Sequence, residues 1–110
     1  MIELRGYIDE NGNRRFAEWL ESLDPSAAAK VTIALARMEQ GNFSNVRGVG
    51  SGIFEYKIDF GPGYRIYFGK DGDRLVILTG GGTKKRQQQD ILAAQECLAA
   101  YKRRKKQEIQ

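Results

Sequence analysis

The chain has 110 residues, 41% of them hydrophobic, which suffices for one domain around a single core and leaves little room for a second. It contains no histidine and one cysteine, Cys97, so imidazole-based triads, histidine metal centres and internal disulfides are excluded. Its net charge of +4 is unevenly spread: residues 83–106 carry eight Lys/Arg against Asp90 and Glu96. Such a cluster either contacts nucleic acid or an acidic protein segment, or forms a solvated helix face with a frayed tail.

No apolar run approaches the roughly 18–20 residues that a bilayer crossing needs, and MIELRGYIDE lacks the basic-then-apolar order of a signal peptide. A cytoplasmic protein without membrane contact is expected. IEL at residues 2–4 reads as a short strand with Ile2 and Leu4 on one face, and DENGN at 9–13 as a turn. From Asn13 as N-cap, Phe16, Trp19, Leu20 and Leu23 recur at helical spacing and form one apolar stripe. Asp24 and Pro25 then open a second helix that passes through Val31, Leu35 and Met38 and stops at Gly41. The two should form a helical hairpin.

After a Gly-, Asn- and Ser-rich loop over 41–52 the period changes to two. In FEYKIDF, Phe54, Tyr56, Ile58 and Phe60 share one face while Glu55, Lys57 and Asp59 share the other. Gly-Pro-Gly at 61–63 turns the chain, and YRIYF returns with Tyr64, Ile66 and Phe68 toward the core and Arg65 and Tyr67 away from it. KDGD, with an Asp-Gly pair suited to a type I′ turn, leads to the nearly all-apolar RLVILT, read as a central strand. A helix follows in which Ile91, Ala94, Leu98 and Tyr101 share one side. The elements predict an α+β fold: strand, helical hairpin, antiparallel three-strand meander and C-terminal helix. A symmetrical loop at 61–63 would set Asp59 opposite Arg65 and Lys57 opposite Tyr67 on an exposed sheet face. There Arg65 serves either as a surface ion-pair partner of Asp59 or as a contact for a ligand.

In that order, FAEWLESLDPSAAAKV, ALARMEQGNF, GVGSGIFEYKIDFGPGYRIYF and TGGGTKKRQQQDILAA resemble the RelE/ParE toxin superfamily, and more closely its HigB-like, phage Gp49-like branch of addiction module killer proteins. The resemblance covers about residues 1–100 and is most specific in FGPGYRIYF and the Gly-Gly, basic, Gln-rich stretch that ends in QDI. It implies a RelE-like sheet with helices on one face, one toxin domain over 1–101 and a basic tail over 102–110. It further implies the toxin of a type II toxin–antitoxin pair, a ribosome-dependent endoribonuclease acting on messenger RNA without a metal or other cofactor. The implied partners are the ribosome, messenger RNA and an antitoxin of the helix-turn-helix class.

By position, the resemblance assigns catalytic roles to Lys57, Arg65, Lys85 and Arg86, and RNA contact to Tyr67 and Lys84. Asp59 stands where RelE carries a second lysine, and Ile91 or a neighbour stands near its late tyrosine. Arginine suits the transition state of RNA cleavage, because its planar fork meets phosphate oxygens and stays charged. Lys57 could serve as general base or as a phosphate contact, and Tyr67 could stack on a base or donate a proton. Two alternatives belong to the same superfamily: a ParE-like inhibitor of DNA gyrase without catalysis, and a decayed toxin that retains only antitoxin binding.

Overall fold

The alternation in FEYKIDF and YRIYF builds the centre of a sheet, and the helical stripes cover it. A computed structural model describes residues 1–109. In chain order the elements are strand β1 (Glu3–Gly6), helices α1 (Arg15–Ser22) and α2 (Pro25–Glu39), strands β2 (Val46–Gly50), β3 (Ile53–Ile58), β4 (Tyr64–Asp71) and β5 (Leu75–Thr83), a 3₁₀ turn (Lys84–Arg86) and helix α3 (Gln87–Ile109). The α+β class and the order of elements agree with the sequence reading. No helix among the described residues is long and apolar enough to cross a membrane.

The sheet is larger than a three-strand meander. Five strands lie in the order β1-β5-β4-β3-β2, with β1 parallel to β5 and the other neighbours antiparallel. Residues 46–50, read as loop, form β2 because Val46 and Arg47 pair with Tyr56 and Glu55 on β3. Three glycines at 48, 50 and 52 hide that strand in the sequence, since glycine has little strand propensity and the partner strand supplies the order. β5 is central, between β1 and β4. The β4–β5 hairpin closes at Asp71 and Leu75 around three residues, 72–74, instead of the two of a type I′ turn.

Local capping follows the sequence in α2 and departs from it in α1. Asp24 accepts the Ala27 N–H at 2.9 Å with Pro25 in the first turn, and Gly41, at φ +83°, ends the helix. Asn13 does not cap α1. Its side chain and backbone donate instead to Asp9, and Glu18 reaches back to the Arg14 N–H at 3.0 Å.

The two sheet faces carry separate apolar clusters. One joins Phe16, Val31, Ala34 and Met38 of the helical hairpin to Tyr56, Ile58, Ile66, Phe68, Val76 and Leu78 of the sheet. The other joins Ile91, Ala94 and Leu98 of α3 to Ile53 and Tyr67. Helices therefore cover both faces, which corrects the single-faced arrangement implied by the resemblance. The stripe on α3 needs an apolar surface of its own, and the hairpin already occupies the first face. α3 also continues past Tyr101 without a break, so residues 102–109 extend the helix. The Tyr101 hydroxyl and the Lys105 ammonium both donate to Asp71, and Arg104 donates to the Ile8 carbonyl at 2.8 Å.

Close approach of helices to β5 depends on the run Gly80-Gly81-Gly82. A Cβ on Gly81 would collide with the Trp19 indole, and one on Gly82 with the Asp90 carboxylate. Gly81→Ala is expected to destabilise the fold by ~1–3 kcal/mol through overpacking, read from urea denaturation. A second expectation concerns the anchor of α3. Hydrogen bonds from Lys105 and then Tyr101 hold the Asp71 carboxyl below its usual 3.8. Because the folded value is depressed, the stabilisation is present above the unfolded pKa and fades as pH falls through the folded one. Asp71→Asn should therefore lower stability at neutral pH, with the difference from wild type closing well below pH 3.8.

Candidate functional site

The β3–β4 hairpin brings the basic residues together. Ile58 and Tyr64 close a loop over residues 59–63, within which the Gly63 N–H donates to the Phe60 carbonyl at 3.0 Å. This loop is longer than the symmetrical 61–63 turn, and the difference changes the register. Lys57, not Asp59, lies opposite Arg65, and Glu55, not Lys57, lies opposite Tyr67. Asp59 turns to Lys57 instead, with Oδ1 3.6 Å from Nζ and both side chains exposed. A surface pair with Asp59 is therefore not the role of Arg65.

Arg65 and Tyr67 point away from the first core, as the alternation predicts, but they are not exposed. The Arg65 side chain is 7% exposed and Tyr67 is 0% exposed. Helix α3 covers Tyr67 with Ile91, Ala94 and Leu98. Its hydroxyl has no hydrogen-bond partner, and burial, reinforced by the Glu55 carboxylate, pushes its pKa well up. A base cannot stack on a ring enclosed in this way, so the sequence-based role of Tyr67 as an RNA contact does not fit its position.

The neighbour that tolerates a buried arginine is Glu55, which the sequence reading set on an exposed face. Glu55 is 2% exposed, and its Oε2 lies 3.6 Å from Arg65 Nε. The same oxygen accepts from the Gln87 amide at 2.8 Å, while Oε1 accepts from Arg47 Nε at 3.0 Å. At 3.6 Å the Arg65 contact is an ion pair without a hydrogen bond, and both Nε and Nη1 are buried without a partner. Unsatisfied buried donors cost roughly 1–3 kcal/mol, more for charged groups. Groups left in that state mark either strain or a place kept for a ligand.

Arg65 faces a shallow cleft of about 350 Å³ that it lines with Lys57, Asp59, Lys84 and the Gly-Pro-Gly turn. Three cations from β3, β4 and the 3₁₀ turn thus converge around one opening. Lys85 and Arg86 do not line it; they are exposed on the turn that leads into α3, with Arg86 Nε bonded to Gln89 at 3.0 Å. Asp90, in the first turn of α3, sits against Gly82 and 3.8 Å from Arg15. Burial raises its pKa, opposed by Arg15 and Arg86. Among the described residues no group of three or more Cys, Asp or Glu is arranged to hold a metal ion. A larger cleft of about 480 Å³, between β1 and the far end of α3, contains none of the residues assigned to catalysis or RNA contact.

Three members of the site were not recognised in the sequence: Glu55, Arg47 and Gln87. Glu55 and Arg65 share the parity of one sheet face, a signal for a buried pair only if that face is known to be covered. Arg47 lay in a stretch read as loop, and Gln87 in a polar run without any periodicity.

An α+β fold with a basic cleft at the turn of its central hairpin is the class that these observations define. The family described as "Phage derived protein Gp49-like" matches residues 18–105. The chain belongs to this family of RelE-like addiction module killer proteins. It is also similar to an uncharacterized protein of Haemophilus influenzae, 42% identical over 64 residues. The match covers 57% of this chain and 65% of that relative, somewhat under two thirds of its length.

Burial of the Tyr67 hydroxyl leads to a direct expectation. Tyr67→Phe removes an unpartnered polar group without opening a cavity, so stability should be unchanged or higher by up to about 1–3 kcal/mol. Denaturant midpoints of the two proteins check it, and a marked loss would mean that the hydroxyl is bonded in solution.

Proposed function

We propose that this protein is the toxin of a type II toxin–antitoxin pair, acting as a ribosome-dependent, metal-independent endoribonuclease on messenger RNA. The observation that supports this most strongly is the Arg65 guanidinium, buried, short of hydrogen bonds and open to a cleft shared with Lys57 and Lys84. Cleavage at a ribose 2′-hydroxyl builds negative charge on the phosphate. A fixed planar donor in a poorly hydrated setting stabilises that charge more than a mobile surface cation would. Lys57 and Lys84 flank it and add ammonium donors, while the exposed Lys85 and Arg86 extend the positive surface along the RNA backbone. Tyr67 holds α3 against the sheet in this reading and does not touch RNA. The ribosome aligns the 2′-hydroxyl with the scissile phosphate, a contribution that proximity alone makes large.

Family membership supports a partner antitoxin, and the resemblance to HigB-like chains supports a helix-turn-helix protein in that role. The basic surface suits an acidic face on such a partner, and added salt should weaken both that complex and RNA binding.

The decisive experiment is induced expression of wild type and Arg65→Ala in cells lacking any antitoxin, with messenger RNA ends mapped on ribosomes. Wild type should arrest growth and produce translation-dependent cuts. Arg65→Ala should reduce them by about 10²–10³-fold, the range for loss of one transition-state donor. Arrest without cuts would overturn the ribonuclease reading in favour of a gyrase-type target. Cells that grow normally would overturn toxicity itself.

A further inference from the structure

Arg65 and Glu55 are two of the most deeply buried charged side chains, and they stop short of a hydrogen bond. The gap is 3.6 Å between Nε and Oε2. A free carboxylate beside a guanidinium would close into a two-bonded fork, the stronger arrangement for this pair. What holds Glu55 back is visible in its other partners. Arg47 on β2 takes Oε1 at 3.0 Å, and Gln87, the first residue of α3, takes Oε2 at 2.8 Å. Closing on Arg65 would strain or break one of those bonds. The carboxylate therefore lies close enough to offset the buried positive charge and too far away to consume its donors.

The partners are anchored independently of one another. Arg47 belongs to a strand paired with β3, while Gln87 is fixed where the 3₁₀ turn passes into α3. Gln87 does not line the cleft and carries no charge, and its side-chain amide reaches the site through Glu55. Arg65 Nη1 lies close to Gly63 of the turn, where even a Cβ would be 3.7 Å away, and neither Nη1 nor Nε has found a protein acceptor.

We propose that Glu55, latched by Gln87 and Arg47, is a positioning residue that neutralises the Arg65 guanidinium at a distance, from its buried Nε side, and leaves the edge that lines the cleft free for phosphate oxygens. This rests on the phosphate-binding reading of the cleft given above. It adds a requirement that reading lacks: a neutral side chain outside the cleft controls how well the cleft binds an anion. Losing the latch lets Glu55 swing onto Arg65, and the protein's own carboxylate then competes with the ligand.

The test follows the Arg65 Nε–Hε resonance by nitrogen-15 NMR in wild type, Gln87→Met and the double variant Glu55→Gln/Gln87→Met, before and during titration with inorganic phosphate. In Gln87→Met the resonance should move without phosphate present, as the hydrogen bond to Glu55 forms, and phosphate affinity should fall about tenfold. The double variant removes the competing charge and should restore affinity to within about threefold of wild type. A merely structural role for Gln87 predicts no such rescue. An Arg65 resonance in Gln87→Met identical to wild type, with equal phosphate affinity, overturns the latch. If phosphate fails to move the resonance in wild type while Gln87→Met still shifts it, the latch stands and the phosphate reading of the cleft falls.

Discussion

The packing of α3 across the second face of the sheet is the constraint from which most of this structure follows. A sheet with one covered face would leave Arg65, Glu55 and Tyr67 in water, where each would be unremarkable. With Ile91, Ala94 and Leu98 pressed onto Ile53 and Tyr67, that face becomes a second core, and its charged members must be reconciled with burial. The glycines at 81 and 82 belong to the same constraint, since they allow Trp19 and Asp90 to approach β5 from opposite sides. Each fully buried Leu or Ile contributes roughly 1.5–3 kcal/mol, enough for a few such residues to offset one imperfectly paired polar group.

The charged network is organised around that cost. An isolated buried cation is penalised by several kcal/mol, and the Glu55 carboxylate beside Arg65 offsets part of that penalty. Glu55 in turn is satisfied by Arg47 and Gln87, which spreads the network over β2, β3, β4 and α3. Among the charged members of this network the guanidinium is left short of hydrogen bonds, as is the neutral Tyr67 hydroxyl nearby. A largely buried guanidinium with one edge on a cleft shared with two lysines differs from a cluster of surface cations in how firmly its direction is fixed. That firmness is what electrostatic stabilisation of a developing phosphate charge requires.

Helix α3 links two chemically different ends of one sheet face. Its start supplies Gln87 to the buried network beside the basic cleft, and its far half is fastened by Tyr101 and Lys105 to Asp71 and by Arg104 to Ile8. Part of the basic run at the end of the chain is therefore spent on intramolecular anchoring. The remainder is exposed and available to an acidic surface. Membership of the Gp49-like family agrees with this arrangement without specifying its chemistry, because the fold alone does not choose between RNA and other targets.

Local physics in the sequence determined the helical hairpin, the Asp24 cap, the central position of β5, the parity of the β3–β4 hairpin and the apolar stripe of α3. All depend on residues within a few positions of one another, where periodicity and capping act. The same parity placed Lys57 and Arg65 on one face. Tertiary structure alone decided that this face is covered, that 46–50 is a strand, and that β1 lies parallel to β5. It also decided that a loop over 59–63 sets Lys57 rather than Asp59 opposite Arg65. These outcomes depend on which distant surfaces meet. Alternation in a strand tells which residues share a face but not what will lie against it, and so an arginine that looks like a solvent residue in the sequence is a buried, unsatisfied cation in the fold.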